Sequence, residues 1–480
     1  MESGAMYTEL DLFIGGERIG SALRSGEPVL NPATGDVIGT LPHATRADLD
    51  RALETSARAF KVWKRTLAVD RAKIMRRAAD ILRDRQERIA QILTLEEGKP
   101  LRESRAELTL SIETLDWMAD EGRRSYGRVI PGHTPDARVL AVREPVGPVA
   151  AFTPWNFPAL TTLRKISGAL GAGCSIILKA AEETPGTAVE IARAFEDAGL
   201  PDGVLQLVFG VPADVSEYLL ASDVIRKISF TGSTRVGQNL AAMAASRSIR
   251  FTMELGGHAP VLVFPDADID KAVELMGGFK YRNAGQVCVA PTRFFVHEDV
   301  HDRFASALTA FAANLKVGDG LDKASTMGPM ANLRRVDAMQ AMVDDAKRTG
   351  ATITTGGERI GNAGYFFAPT VMTGVQDAAR ILREEPFGPI APIMRFSGMD
   401  EVIARANSLP FGLSSYVFTA SERTARIMSQ ELEAGMVAVN SATVSLPQAP
   451  FGGIKSSGEG SEGGIEGLQA YTQTKLIVQQ

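Results

Sequence analysis

The sequence predicts an α/β protein with two doubly wound units and a small extended β element. Three observations carry that reading. Residues 146–264 alternate short apolar runs ("GPVAAFTP", "CSIILKA", "VLQLVFG", "RKISFTG", "VLVF") with helical stretches such as "TPGTAVEIARAFEDAG" and "PADVSEYLLA". Strand, helix, strand is the rhythm of a parallel sheet covered on both faces. The same rhythm returns after Cys288, in "TRFFVH", "HDRFASALTAFAANLKVG", "RVDAMQAMVDDAKRTGATITTGG" and "SYVFTA". Residues 126–145 and the terminal "QTKLIVQ" are extended, and exposed strands of this kind pair with another strand or another subunit.

Taken in chain order, the opening "MESGA" ahead of Met6 reads as an addition left by cloning. Residues 46–65, 69–99 and 102–122 predict three amphipathic surface helices, with apolar residues three and four apart and charges between them. From 146 onward, each strand of the first unit runs into a turn rich in Gly, Pro or Thr: "TPWNFP" at 153–158, "KAAEETP" at 179–185 and "TGST" at 231–234. Open parallel sheets bind ligands at such strand ends.

With 480 residues, 45% hydrophobic and 23% charged, the chain is long enough for two or three domains with large cores. A net charge of −5 gives no electrostatic footprint for nucleic acid, and no apolar run approaches the ~18 residues of a membrane span. Two cysteines, Cys174 and Cys288, cannot build a disulfide framework, and no secretory leader opens the sequence; a reducing cytoplasm and small-molecule partners are expected.

Several residues suit chemistry. In "TGSTRVG", Gly232 permits close backbone approach and Ser233 opens a helix whose N–H groups can face a phosphate, although the usual G-x-G-x-x-G pattern is absent. Lys179 and Glu182 stand at a strand end, where a carboxylate can hold ribose hydroxyls. Asn156, Glu254 and Cys288 are each unremarkable alone: a loop brace, a turn residue, a buried thiol. Together they suit acyl chemistry at sulfur, with a thiolate to attack a carbonyl, an amide to stabilise the oxyanion and a carboxylate to activate water. A rival motif, "HEDVH" at 297–301, fits H-E-x-x-H. His297 ends a predicted strand, so its ring and that of His301 should diverge. The remaining histidines offer no third ligand, and no metal is expected.

The motifs "TPWNFP", "KAAEETP", "FTGST", "MELGG", "NAGQVCV", "EEPFGPI" and "PFGGIKSSG" follow one another as in the NAD(P)-dependent aldehyde dehydrogenase superfamily, which the chain resembles over nearly its whole length, most closely in the succinate-semialdehyde branch. The resemblance implies a Rossmann-type nucleotide-binding domain (1–125 and 146–256), a second α/β catalytic domain (257–460) and a β oligomerisation arm (126–145 and 461–480), in a homodimer or homotetramer. It makes Cys288 the nucleophile, Glu254 the general base, and Asn156 with the Cys288 N–H the oxyanion hole. Lys179 and Glu182 fall at the adenosine ribose, Ser233 at the pyrophosphate, and Glu385 with Phe387 at the nicotinamide ribose and ring, with Gly232 and Trp155 also among the cofactor-binding residues. Arg164, Arg282 and Ser445 match positions that hold a substrate carboxylate, with Phe157 and Phe451 beside them.

The implied reaction runs from thiohemiacetal to thioester to acid. Glu254 argues for release to water and against transfer to coenzyme A. Glu182 would repel a 2′-phosphate, so NAD is expected over NADP. Succinate semialdehyde is the expected substrate, with other semialdehydes and uncharged aromatic or aliphatic aldehydes left open. Two positions depart from the family pattern. Ala180 replaces a usual proline, and Ala290 stands where some semialdehyde dehydrogenases carry a second cysteine, so no disulfide switch is expected there. Cys174, opening a strand, is read as inert core.

Overall fold

The computed structural model describes residues 7–22 and 24–480; the "MESGA" opening lies outside the described residues. Two sheets dominate. The first has eight strands in the order Glu17–Ile19, Leu12–Ile14, Leu205–Val208, Ile176–Lys179, Val149–Phe152, Lys227–Thr231, Arg250–Glu254, Gly458–Glu459. Its five central strands are parallel; Leu12–Ile14 and Gly458–Glu459, which flank them, run antiparallel to them, and Glu17–Ile19 pairs antiparallel with Leu12–Ile14. The apolar runs read from sequence form four of the five, because strands covered on both faces need no polar alternation.

Taking those five in chain order, the first, Val149–Phe152, and the fourth, Lys227–Thr231, are neighbours. Connections therefore leave in opposite directions from this pair, which makes a topological switch point. The turns that follow both strands, 153–157 and 232–233, open at the same crevice.

The second sheet has seven strands in the order Thr352–Thr355, Thr370–Thr373, Ile390–Phe396, Pro291–His297, Ala259–Val263, Ser414–Phe418, Met436–Val439. All but the antiparallel edge strand Thr352–Thr355 are parallel. Each sheet has its own apolar core, and a third, small cluster around Phe157, Leu160, Val287, Val289 and Phe451 lies at the cleft. A separate three-stranded sheet, Thr472–Gln479 on Arg138–Pro145 on Arg128–Pro131, joins the extended segments in antiparallel register. The helix Gly464–Gln469, within the segment assigned above to the arm, packs on the helices of the first sheet.

The sequence reading of the N-terminal helices needs correction. Residues 69–99 form two helices, Ala68–Asp84 and Gln86–Glu97, with Arg85 non-helical between them. The apolar stripe skips a turn there: between Leu82 and Ile89 every residue is polar, so nothing anchors a continuous helix across the join. Nor is Gln86–Glu97 a solvated surface helix at its end, because Glu96, Glu97 and Lys99 are all buried. Gly98, at φ 97°, turns the chain inward; a Cβ there would meet Pro329 at 2.6 Å.

The helix Pro158–Ala172 is buried at all fifteen positions and carries Arg164 and Lys165. No helix among the described residues is long and apolar enough to cross a membrane.

Candidate active site

Every site residue singled out from the sequence lines one cleft of about 710 Å³ between the two sheets. Glu254 ends the strand Arg250–Glu254, which the sequence reading did not recognise as a strand, because it opens on Arg250 and carries Glu254 at its end. Asn156 follows the strand Val149–Phe152, and Cys288 precedes Pro291–His297. The cysteine loop is strained: Asn283 and Ala284 both sit at φ 50°, a left-handed conformation unfavourable for residues with a Cβ. Hydrogen bonds hold it there. Asn283 N donates to Glu103 at 2.7 Å, and Gln286 Nε2 donates to the Asn283 carbonyl at 3.1 Å. Asn156 is tied to this loop, donating through Nδ2 to the Gln286 carbonyl at 2.9 Å.

Burial, joined by the negative charges of Glu385 and Glu254, pushes the Cys288 thiol up to about 12; Arg164 and the Val289 N–H oppose the shift. Glu254 is 3% exposed, neither carboxyl oxygen has a hydrogen-bond partner, and burial and the nearby Glu462 raise its pKa well above the usual carboxylate range. Such an unpartnered buried acid costs stability and is typical of a functional group. Glu462 is held by Lys165 at 2.5 Å, and that lysine also donates to Thr231 at 2.8 Å and Ser229 at 3.1 Å. Sequence reading found neither partner of this pair, since each stands among ordinary helix or loop residues.

On the first-sheet side, Ser233 begins the helix Thr234–Ser246 without spending its side chain on a cap. A free helix start of this kind suits a phosphate. Lys179 and Glu182 form an ion pair at the strand end. Glu385 accepts a hydrogen bond from Gly257 N at 3.1 Å, and burial pushes its pKa up to about 7. A Cβ at Gly256 would lie 2.5 Å from the Glu385 carboxylate, so a larger residue there would displace that carboxylate. Phe387, held at φ 45°, meets Trp155 edge to face with centroids 5.6 Å apart. An uncapped helix start, a carboxylate at a strand end and an aromatic pair fit the phosphate, ribose and ring of a dinucleotide.

On the other side, Arg164 donates to Ser445 Oγ at 2.7 Å and lies over the Phe451 ring at 4.2 Å. Arg282 lies over Phe157 at 5.0 Å and Phe279 at 5.7 Å. Among the described residues neither arginine forms an ion pair; Arg282 feels the charge of Glu103 from a distance.

The other cysteine and the histidine motif behave differently. Cys174 is fully buried, donates to the Tyr471 carbonyl at 3.4 Å and is pushed up to about 11 by burial. His297 caps the helix Glu298–Ala313, accepting from Asp299 N, while His301 pairs with Asp302. Among the described residues no cluster of metal-ligating side chains forms.

A dinucleotide-type sheet whose switch point opens onto a cysteine, an amide and a buried carboxyl defines an α/β oxidoreductase. The chain belongs to the aldehyde dehydrogenase family, which it matches over residues 20–477, and that family oxidises aldehydes with NAD(P). It is similar to 4-(hydroxymethyl)benzenesulfonate dehydrogenase of Comamonas testosteroni, at 46% identity over 99% of both chains. It is also similar to glutarate-semialdehyde dehydrogenase of Pseudomonas putida, at 41% identity over 97% of this chain and 96% of that one. Among solved structures, succinate-semialdehyde dehydrogenase from Burkholderia pseudomallei superimposes with a TM-score of 0.97 at 41% identity, covering 100% of this chain and 99% of that one.

Proposed function

We propose that the protein oxidises aldehydes bearing an anionic group to carboxylic acids, with NAD as acceptor, through a thioester on Cys288 that water releases. One observation carries the substrate class: two arginines, Arg164 and Arg282, face the cysteine's cleft without a carboxylate partner. A guanidinium so placed awaits an anion on its ligand. The names of the relatives fit, since each contains a sulfonate or a carboxylate. Succinate semialdehyde stands first, with longer semialdehydes and sulfonated aldehydes next.

The chain's own residues account for the steps. The Cys288 thiol gives its proton to solvent water as sulfur bonds to the aldehyde carbon, and the carbonyl oxygen becomes an oxyanion beside the Asn156 amide and the Cys288 N–H. NAD, when bound, supplies the acceptor for the hydride that leaves this carbon. Glu254 then takes a proton from water as the water oxygen attacks the thioester; the C–S bond breaks and the acid departs. Burial makes ionised Glu254 a stronger base than an exposed carboxylate. Water release, rather than transfer to a thiol acceptor, follows from the presence of that base.

NAD is favoured over NADP because Glu182, beside the acidic Glu183, would repel a 2′-phosphate. The three-stranded sheet presents Val129, Leu476 and Val478 to solvent, and we read it as the surface that joins a second copy of the chain. Steady-state rates with succinate semialdehyde, glutarate semialdehyde, a sulfonated benzaldehyde, benzaldehyde and butyraldehyde, each with NAD⁺ and NADP⁺, test the reading. It predicts the highest kcat/KM for an anionic aldehyde with NAD⁺. Equal or better use of the neutral aldehydes would demote the arginines to structure.

A further inference from the structure

Lys99 is one of the most deeply buried charges in the protein, 1% exposed, and no step above uses it. Beyond the left-handed Gly98 its side chain runs under the active site. Its ammonium donates to Glu107 Oε2 at 2.7 Å and to the main-chain carbonyl of Asn156 at 2.6 Å, and lies 4.0 Å from the centre of the Phe157 ring. The other Glu107 oxygen accepts from Ala159 N at 2.9 Å and Leu160 N at 3.2 Å, in the first turn of the helix that carries Arg164. The Asn156 carbonyl accepts a second bond, from Asn283 Nδ2 at 3.0 Å. At its other end the Asn156 amide donates to the Gln286 carbonyl, two residues before Cys288.

We propose that Lys99 is a positioning residue of this active site, holding Asn156 by its main-chain carbonyl so that the second amide hydrogen points to where the oxyanion forms. The proposal rests on the reading of Asn156 as oxyanion donor. Asn156 is then fixed at both ends, with one N–H on the cysteine loop and one left for substrate. Without Lys99 the carbonyl keeps only Asn283, and Glu107 and Glu97, 3.8 Å from the ammonium, lose their shared counter-charge. Buried ion pairs add little net stability over apolar packing, so stability alone does not account for one kept directly beneath the reacting groups. Orientation does.

A double-mutant cycle separates the possibilities. Asn156→Ala leaves the main-chain carbonyl in place, so Lys99 keeps its contacts while the oxyanion donor is gone. Lys99→Met is made in both backgrounds, alone and with Glu107→Gln, which removes both charges and keeps a folded variant available. The expected result with succinate semialdehyde is a roughly 10- to 100-fold loss of kcat/KM in the native background, carried by kcat. In the Asn156→Ala background the further loss should be under about threefold, because both changes remove one interaction. NAD⁺ affinity by calorimetry should be unchanged.

A similar loss in both backgrounds, or loss of NAD⁺ affinity in step with activity, would overturn the positioning role and leave the oxyanion reading intact. An Asn156→Ala enzyme with undiminished kcat/KM would overturn the oxyanion reading, and the role of Lys99 with it.

Discussion

Arg164 donates to the hydroxyl of Ser445 at 2.7 Å, bridging the helix Pro158–Ala172 to a loop nearly three hundred residues later. With the Phe451 ring beneath it, the guanidinium is held on one face and offers its remaining donors to the cleft. Arg164→Met or Arg282→Met should cost about 2–5 kcal/mol with succinate semialdehyde, roughly 30- to a few thousand-fold in kcat/KM. Butyraldehyde oxidation should change little. Equal losses with both substrates would contradict the clamp.

On the reading proposed above, coenzyme choice turns on Glu182. Replacing it with serine removes the carboxylate proposed to hold the adenosine ribose and frees Lys179, its ion-pair partner, for a phosphate. The ratio of kcat/KM for NAD⁺ to that for NADP⁺ should fall by roughly 10- to 100-fold, as expected for one partly screened charge contact. An unchanged ratio would place the discrimination elsewhere.

Glu254 also sets a pH dependence of stability. Its folded pKa lies above the usual value of 4.5, so the folded state binds the proton more tightly than the unfolded state. The unfolded state therefore ionises first, and folded stability falls as pH rises above that value. Glu254→Gln, which cannot ionise, should melt roughly 1–3 °C above the native protein at pH 9, with the gap closing toward pH 5. Thermal denaturation across that range checks it; a gap that widens toward acid would have the wrong sign.

Much of this site was legible in the sequence, and the reason is local. Cys288, Asn156, Glu182 and Ser233 lie at strand ends beside glycine, proline or short apolar runs, where chain geometry and chemistry coincide. Lys99, Glu107, Lys165 and Glu462 were not legible, since a charge in an amphipathic helix or a glycine-rich loop reads as solvated, and only the tertiary fold shows it buried. The outer strands of the first sheet, Leu12–Ile14, Glu17–Ile19 and Gly458–Glu459, escaped notice because they are two or three residues long. Arg250–Glu254 failed for another reason: as an inner strand near the cleft it opens on Arg250 and ends on the buried Glu254 in place of an apolar run.

The small sheet makes a prediction about assembly. Leu476 and Val478 are 62% and 58% exposed on the same face of the edge strand Thr472–Gln479, while Val129, on the opposite edge strand Arg128–Pro131 and the other face of the sheet, is 81% exposed. Leu476→Asp with Val478→Asp should shift the mass seen by light scattering toward that of one chain, while each chain stays folded by circular dichroism. An unchanged mass would place the contact between copies elsewhere.

Intact-mass spectrometry of Glu254→Gln tests most directly whether a covalent acyl group forms on Cys288 and is released by Glu254. Mixed with succinate semialdehyde and NAD⁺, that variant should accumulate one succinyl adduct per chain, mapped by peptide digestion to Cys288 and absent when Cys288 is also replaced by alanine. Turnover at the native rate without an adduct, or an adduct that survives loss of Cys288, would contradict an acyl-enzyme on Cys288 released by Glu254.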